Sequence, residues 1–291
     1  MNLLSKISII RQQHPDIGPQ QPFSLASEYR HGKDEVFHGD MHYALQFCIV
    51  IHGSMEVMFE GFQREFLPGD VWWTMFWEPH AFRFTGTRNF ALAVNVDINC
   101  LGDCDPFGSG DWLLPFVASP EQRYCPGSKK EREWFRENGR KLFHQWTGRP
   151  ANWKLYSWFG IHEMILRSID GMKEDRANLS KIEVTEKFRK IRPAVNLVNN
   201  TSGRPPLLSE AAAACNLSVS RFSDIFRQTF GVSFGKFAAR ARLAAAAREL
   251  KQSYLAIEEI AANWGFYDCS HFHHAFRELY GCTPKQYQKN N

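Results

Sequence analysis

The feature of this 291-residue chain that most limits its fold is a repeat spaced fifty residues apart in its C-terminal third. The run Phe222-x3-Phe226-Arg227-x2-Phe230-Gly231-x-Ser233-Phe234-x2-Phe237 returns as Phe272-x3-Phe276-Arg277-x2-Tyr280-Gly281-x-Thr283-Pro284-x2-Tyr287. Rings four residues apart share one helix face. Glycine at 231 and 281 falls where a helix stops, and Ser218 and Asp268 stand where each helix would be N-capped. A short alanine-bearing segment precedes each block, LLSEAAAAC and IEEIAANW, and a turn follows it. Two helix-turn-helix units, about 207–231 and 257–281, joined by a helix at about 236–252, satisfy this pattern most economically. A duplicated helical bundle is the alternative, but the repeat keeps the turn, the caps and the basic residue after an aromatic as well as the hydrophobic positions.

The segment IEEIAANWGFYDCSHFHHAFRELYGCTPKQYQK resembles the signature of AraC/XylS-type transcription regulators, whose pattern runs I-x-x-I-A, G-F, S-x-F, F-R/K, G-x-[ST]-P and Y. The first copy matches as well, including Arg242, Ala246 and Leu250 in the connecting helix. The resemblance implies double-stranded DNA as partner, with each recognition helix in a major groove and helix N-termini and basic side chains on phosphates. It places the exposed face of the first recognition helix at Ser220, Arg221, Ser223, Asp224 and Arg227. The second would use Cys269, Ser270, His273, His274 and Arg277. Asp224 and His274 depart from relatives that often carry arginine there. An acid beside phosphates is repulsive unless it accepts from cytosine N4, and local capping or pairing of Asp224 is the other reading. His271, His273 and His274 are spaced so that they do not converge on a metal, and His271 falls at a packing position of the family.

Charge agrees with this division. Residues 186–291 hold 15 Lys+Arg against 8 Asp+Glu, a balance of +7, whereas residues 1–185 hold 20 against 23, a balance of −3. A basic domain beside a mildly acidic one suits a polyanionic partner.

Residues 23–100 read as β. Alternation recurs in Leu45–Ile51, Met55–Phe59, Phe82–Phe84 and Phe90–Val96, with turn signals between the runs. Many short strands at close spacing argue for a sandwich or small barrel. Residues 101–127 read as an irregular excursion, 129–148 and 153–168 as helices, and the polar stretch 171–188 as able to hold a linker. The expected fold class is thus two-domain α+β: an N-terminal antiparallel β-barrel or jelly roll with flanking helices and an all-α C-terminal domain with two helix-turn-helix units. The domain expectation is a sensing barrel with an N-terminal arm at 1–128, a helical dimerisation segment and linker at 129–185, and a DNA-binding domain at 186–291.

The stretch from residue 38 to residue 84 resembles the cupin-type sensor barrel at the front of many such regulators, through His42, Gly53, Pro68-Gly69-Asp70 and His80. Metal-binding cupins offer two histidines and a glutamate from a first motif and a histidine from a second. Here Ala44 sits two positions after His42, and Gln46 lies where an acid is often found, so the four-ligand set is incomplete and neither cofactor nor metal is implied. His38, His42 and His80 remain able to converge.

Eight of nine Trp precede residue 160, and adjacent Trp72 and Trp73 must face opposite sides of a strand. One of the pair is expected to line the barrel mouth beside His80. His42, Gln46, Trp72, Trp73, His80 and Phe82 are therefore the effector-binding candidates, with a sugar or other neutral polar molecule as the ligand class. No long apolar run or secretory leader is apparent, and seven irregularly spaced cysteines read as reduced thiols, Cys100 and Cys104 included. These observations describe a cytoplasmic, homodimeric, effector-responsive DNA-binding regulator with no enzymatic role. The rivals are a barrel that only dimerises and a metal-dependent cupin enzyme.

Overall fold

The structure is a computed structural model that describes residues 7–11, 17–18, 20–101, 111–174, 181–200, 203–253 and 255–289. Among these residues the N-terminal part holds β1 (Ile7–Arg11), β2 (Phe23–His31), β3 (Phe37–Asp40), β4 (Leu45–His52), β5 (Met55–Phe59), β6 (Phe62–Phe66), β7 (Val71–Thr74), β8 (His80–Phe84) and β9 (Arg88–Val96). They form two sheets, ordered β1-β3-β8-β5-β6 and β2-β9-β4-β7. The pairings are antiparallel except at the edge, where β1 runs parallel to β3. That strand corrects the expectation of a wholly antiparallel barrel; its short apolar run carried no alternation to betray it.

Period two assigns the faces. Cys48 and Val50 of β4 join Met55, Val57, Phe59, Phe66, Trp72, Phe84 and Ala91 between the sheets. Phe47, Ile49 and Ile51 point the other way, into the larger core shared with the helices. A strand buried on both faces needs no polar face, and Gln46 is the one polar side chain in residues 45–51.

Two short helices, α1 (Ile98–Leu101) and α2 (Leu114–Val117), lead to α3 (Lys129–Gly148) and α4 (Trp153–Glu174), which pack on each other and on the four-stranded sheet. A capping box starts α3: the Ser128 hydroxyl accepts from Glu131 N, and the Glu131 carboxylate accepts from Ser128 N. The turn before β7 seats this helix. Gly69 has φ +90°, and a Cβ there would lie 2.2 Å from the Arg132 carbonyl oxygen. Asp70, buried beside it, accepts a 2.7 Å bond from Arg132 Nε. The proposed linker is mostly helix instead. α4 continues to Glu174 and α5 (Lys181–Asn200) begins soon after, its Phe188, Ile191, Ala194 and Val195 buried in the next core.

The C-terminal part contains α6 (Leu208–Ala214), α7 (Val219–Phe230), α8 (Phe234–Gln252), α9 (Ile257–Asn263), α10 (Cys269–Tyr280) and α11 (Pro284–Lys289). α5 covers α6 and α7, while α8 connects the two units. The parts touch through the loop after β7. Phe76 meets Phe230 and Phe237 edge-on at 5.4 and 5.6 Å, and Arg240 Nη1 donates to the Trp77 carbonyl at 3.3 Å. On the other side α10 lies against β1. No helix among the described residues is long and apolar enough to cross a membrane. The six cysteines among them are free thiols, while Cys104 lies outside the described residues.

Candidate nucleic-acid interface and barrel site

The two recognition helices repeat one construction. Ser218 Oγ accepts from Arg221 N at 3.3 Å, and an Asp268 carboxylate oxygen accepts from His271 N at 2.6 Å, as the cap positions predicted. Gly231 and Gly281 close the helices at φ +67° and +72°, conformations that favour glycine. Phe222, Ile225, Phe226 and Thr229 are buried on α7; Phe272, Phe276, Leu279 and Tyr280 are buried on α10. The repeat also reaches further upstream than the sequence reading took it. Glu210 and Glu259 each accept the backbone N–H at the start of their short helix, from Leu207 and Ala256.

The opposite faces are open. Ser220, Arg221, Asp224 and Arg227 are exposed, and Ser223 is half-buried with its hydroxyl donated back to Val219 O at 2.8 Å. On α10, Ser270, His274 and Arg277 are exposed, while Cys269 and His273 are half-buried. Two expectations need correction. His271 is exposed, not packed, with its ring centroid 5.8 Å from that of Phe266. Asp224 forms neither a cap nor a local ion pair among the described residues. Arg221, Arg227 and Arg277 likewise have no acidic partner there, so their donors are available to phosphates and base edges. Arg242 is different. Its Nη1 donates to Gly265 O at 3.2 Å and its guanidinium lies 4.7 Å above Phe266, so it holds the turn of the second unit.

In the barrel, the adjacent tryptophans do part company. Trp73 faces the helices, between Phe47 and Phe116 with ring centroids 5.0 Å away on each side, and its indole N–H donates to Tyr124 O. It leaves the effector set. Trp72 points between the sheets, 5.5 Å from the His80 ring. Gln46 is on the same inner face, its amide donating to Asn95 at 2.9 Å, and half-buried Phe82 stands 6.1 Å from Phe84. His42 and His80 are each 1% exposed, with rings 5.3 Å apart. The expected open mouth is therefore a closed interior at these residues.

His80 Nδ1 lies 2.9 Å from the Glu78 carbonyl, which can only accept, so Nδ1 carries the proton. Burial holds the His80 pKa down at about 4, leaving a neutral ring at neutral pH. Asp40 pairs in register with His80, and one ligand atom from each of Asp40, His42 and His80 lies within 4.8 Å of the other two. His38 is not in that group; its Nε2 faces Asp34 at 3.4 Å. The sequence reading missed Asp40, although period two along His38-Gly39-Asp40-Met41-His42 was a usable signal.

Beside this interior, a cleft of about 320 Å³ opens between the two parts, lined by Phe76, Trp77, Phe230 and Phe237 together with Arg123 and Arg240. Arg123 pairs with Glu78 at 2.9 Å, and burial lowers the Arg240 pKa.

Fold and faces together define a class: a double β-sheet part joined to a paired helix-turn-helix domain. The family model described as "Helix-turn-helix domain" matches residues 211–290, the segment that holds the two repeated units. An uncharacterized HTH-type transcriptional regulator of Haemophilus influenzae is 35% identical over 83 residues, 28% of each chain. Regulatory protein PocR of Salmonella typhimurium is 28% identical over 120 residues, 41% of this chain and 40% of its own. The chain thus matches two fifths or less of the length of these relatives. ToxT of Vibrio cholerae, in a crystal structure with an unsaturated fatty acid bound, aligns over 92% of this chain and 95% of its own with TM-score 0.54 and 10% identity. At that identity the likeness is one of fold, and it extends through both parts.

Proposed function

We propose that this protein is a sequence-specific DNA-binding transcription regulator whose DNA-binding domain, residues 186–291, answers to a small molecule held against the N-terminal part. The observation that carries the reading is the pair of capped helices α7 and α10, each presenting an arginine without an acidic partner on its open face. Ser220, Arg221, Ser223, Asp224 and Arg227 would read one major-groove segment; Cys269, Ser270, His273, His274 and Arg277 would read the next. In this reading residues 1–128 sense and 129–185 pair two protomers. An apolar stripe on α4 supports that pairing: Leu155, Tyr156, Phe159 and Leu166 are all exposed. The protein would act in the cytoplasm and catalyse no reaction.

For the effector, rings backed by buried guanidinium groups in the interdomain cleft favour a small apolar acid over the carbohydrate that the tryptophan-rich barrel first suggested. ToxT structures with a fatty acid and with a naphthalenyl butenoic acid point the same way. An effector there would shift the balance of domain arrangements by its differential affinity for them. The test is selection of bound sequences from random DNA, followed by thermal melting of the protein with carboxylic acids and with mono- and disaccharides. A ligand at a hundred times its Kd adds about 2.7 kcal/mol. Enrichment of one DNA sequence together with a melting shift from an acid supports the reading. A flat melting screen would favour a barrel that only dimerises, and no enriched sequence would end the regulator reading.

A further inference from the structure

The barrel interior holds a group of side chains to which DNA recognition gives no task. Asp40 ends β3 and stands opposite His80, the first residue of β8. Directly opposed residues have Cβ atoms about 4.5–5.5 Å apart, so their side chains enter the same space. His42 enters it from just beyond β3, and one ligand atom from each of the three lies within 4.8 Å of the other two. All three residues are buried. The Nδ1–H of His80 donates to the Glu78 carbonyl, which fixes the tautomer and leaves a lone pair free on Nε2. Metal-binding histidines are held by bonds of this kind. That Nε2, and both ring nitrogens of His42, reach no hydrogen-bond partner among the described residues. Buried polar atoms are rarely left so, and each such case calls for an explanation.

We propose that Asp40, His42 and His80 bind one divalent first-row transition cation. Two neutral imidazoles and a carboxylate suit Zn2+ or Fe2+, with coordination positions left for water or a small ligand. Magnesium, which requires oxygen donors, does not match the set. Bonds of about 2.0–2.2 Å would bring the donors to roughly 3.4 Å from one another.

The place of the cluster gives the ion a role. The Trp77 N–H donates to the His42 carbonyl at 2.8 Å, and the Trp77 carbonyl accepts from Arg240 of α8. On the other side β3 pairs with β1 in the register Arg11↔Asp40, and α10 lies against β1. An ion that reorients His42 and offsets the Asp40 charge therefore acts on the contact between the barrel and the DNA-binding domain. This regulatory consequence rests on the function proposed above; binding of the ion does not.

The experiment uses the full chain, stripped with a chelator and titrated by calorimetry with Zn2+, Co2+ and Mg2+. The expected result is one Zn2+ or Co2+ per chain and no binding of Mg2+. Each of His42→Gln and His80→Gln should weaken Zn2+ binding at least about tenfold. His144→Ala, an exposed histidine on α3, should leave it unchanged. Should either variant fail to fold, the visible spectrum of Co2+ on the unaltered chain decides: intense bands of a low-coordinate nitrogen-bound ion support the site, and the weak spectrum of the hydrated ion overturns it. Undiminished Zn2+ affinity in both folded variants would also overturn it. DNA affinity is then measured with and without Zn2+. An unchanged value removes the regulatory role while the site stands, and absence of any DNA binding removes the proposed function without touching the calorimetry.

Discussion

The two helix-turn-helix units share a frame and differ at most positions outside it. Inside, rings recur position for position, Phe222 with Phe272, Phe226 with Phe276 and Phe230 with Tyr280. Outside, Arg221 answers to His271, Ser223 to His273 and Asp224 to His274, while Ser220 returns as Ser270 and Arg227 as Arg277. Their neighbours differ too. The first unit sits under α5 and meets the barrel through Phe76. The second has its turn held by Arg242 and lies against β1. Packing fixes the inner face twice over because close-packed rings tolerate little change. Solvent makes no such demand on the outer face, so the two copies are free to diverge there and to read different bases.

The largest effects should fall on what the units share. Phe226→Ala and Phe276→Ala each remove a fully buried ring and should destabilise the chain by about 3–5 kcal/mol in urea unfolding. A cost in one unit only would break the equivalence. Next come the open faces. Arg227→Ala and Arg277→Ala should each weaken specific DNA binding by about 1–3 kcal/mol while leaving the melting temperature unchanged. Asp224→Asn should instead tighten binding a few-fold by removing repulsion from nearby phosphates. Loss of affinity would show that Asp224 contacts a cytosine.

The caps are smaller. Ser218→Ala and Asp268→Ala should each cost about 1 kcal/mol, with similar values expected because the two bonds play the same part. Last is a pH effect remote from both units. His162, packed against Trp112 and Trp158, has its pKa lowered by burial, partly offset by its bond to Trp158 O. The unfolded chain then takes up the proton more readily than the folded one. Stability from this residue is present above the ordinary histidine pKa near 6.5 and is lost as pH falls below it. Thermal melting from pH 7.5 to 5 should fall less steeply in His162→Gln.

The comparison also explains what could be read from the chain alone. A repeat of rings, glycines and caps is a statement about local backbone and one buried face, and it placed α7, α8 and α10 within a few residues. Strands buried on one face alternate, and β5, β8 and β9 were legible in that way. β1 was not, because a short edge strand pairing with a distant partner leaves no local period. Trp73 and Trp72 could be told apart only as facing opposite sides; which side held the helices depends on long-range packing. Period two could have grouped Asp40 with His42, but that Asp40 stands opposite His80 follows from strand register and was not legible. His271 was misread because a packing position of the family was carried over to it, whereas here the side chain is exposed.

The most direct test of the account is a footprint on DNA selected by the full-length protein, comparing the unaltered chain with Arg227→Ala and Arg277→Ala. The account predicts two protected major-groove segments about one helical turn apart, with each variant losing protection over one of them. A single protected segment that depends on only one of these arginines would contradict it, as would a selection that enriches no sequence.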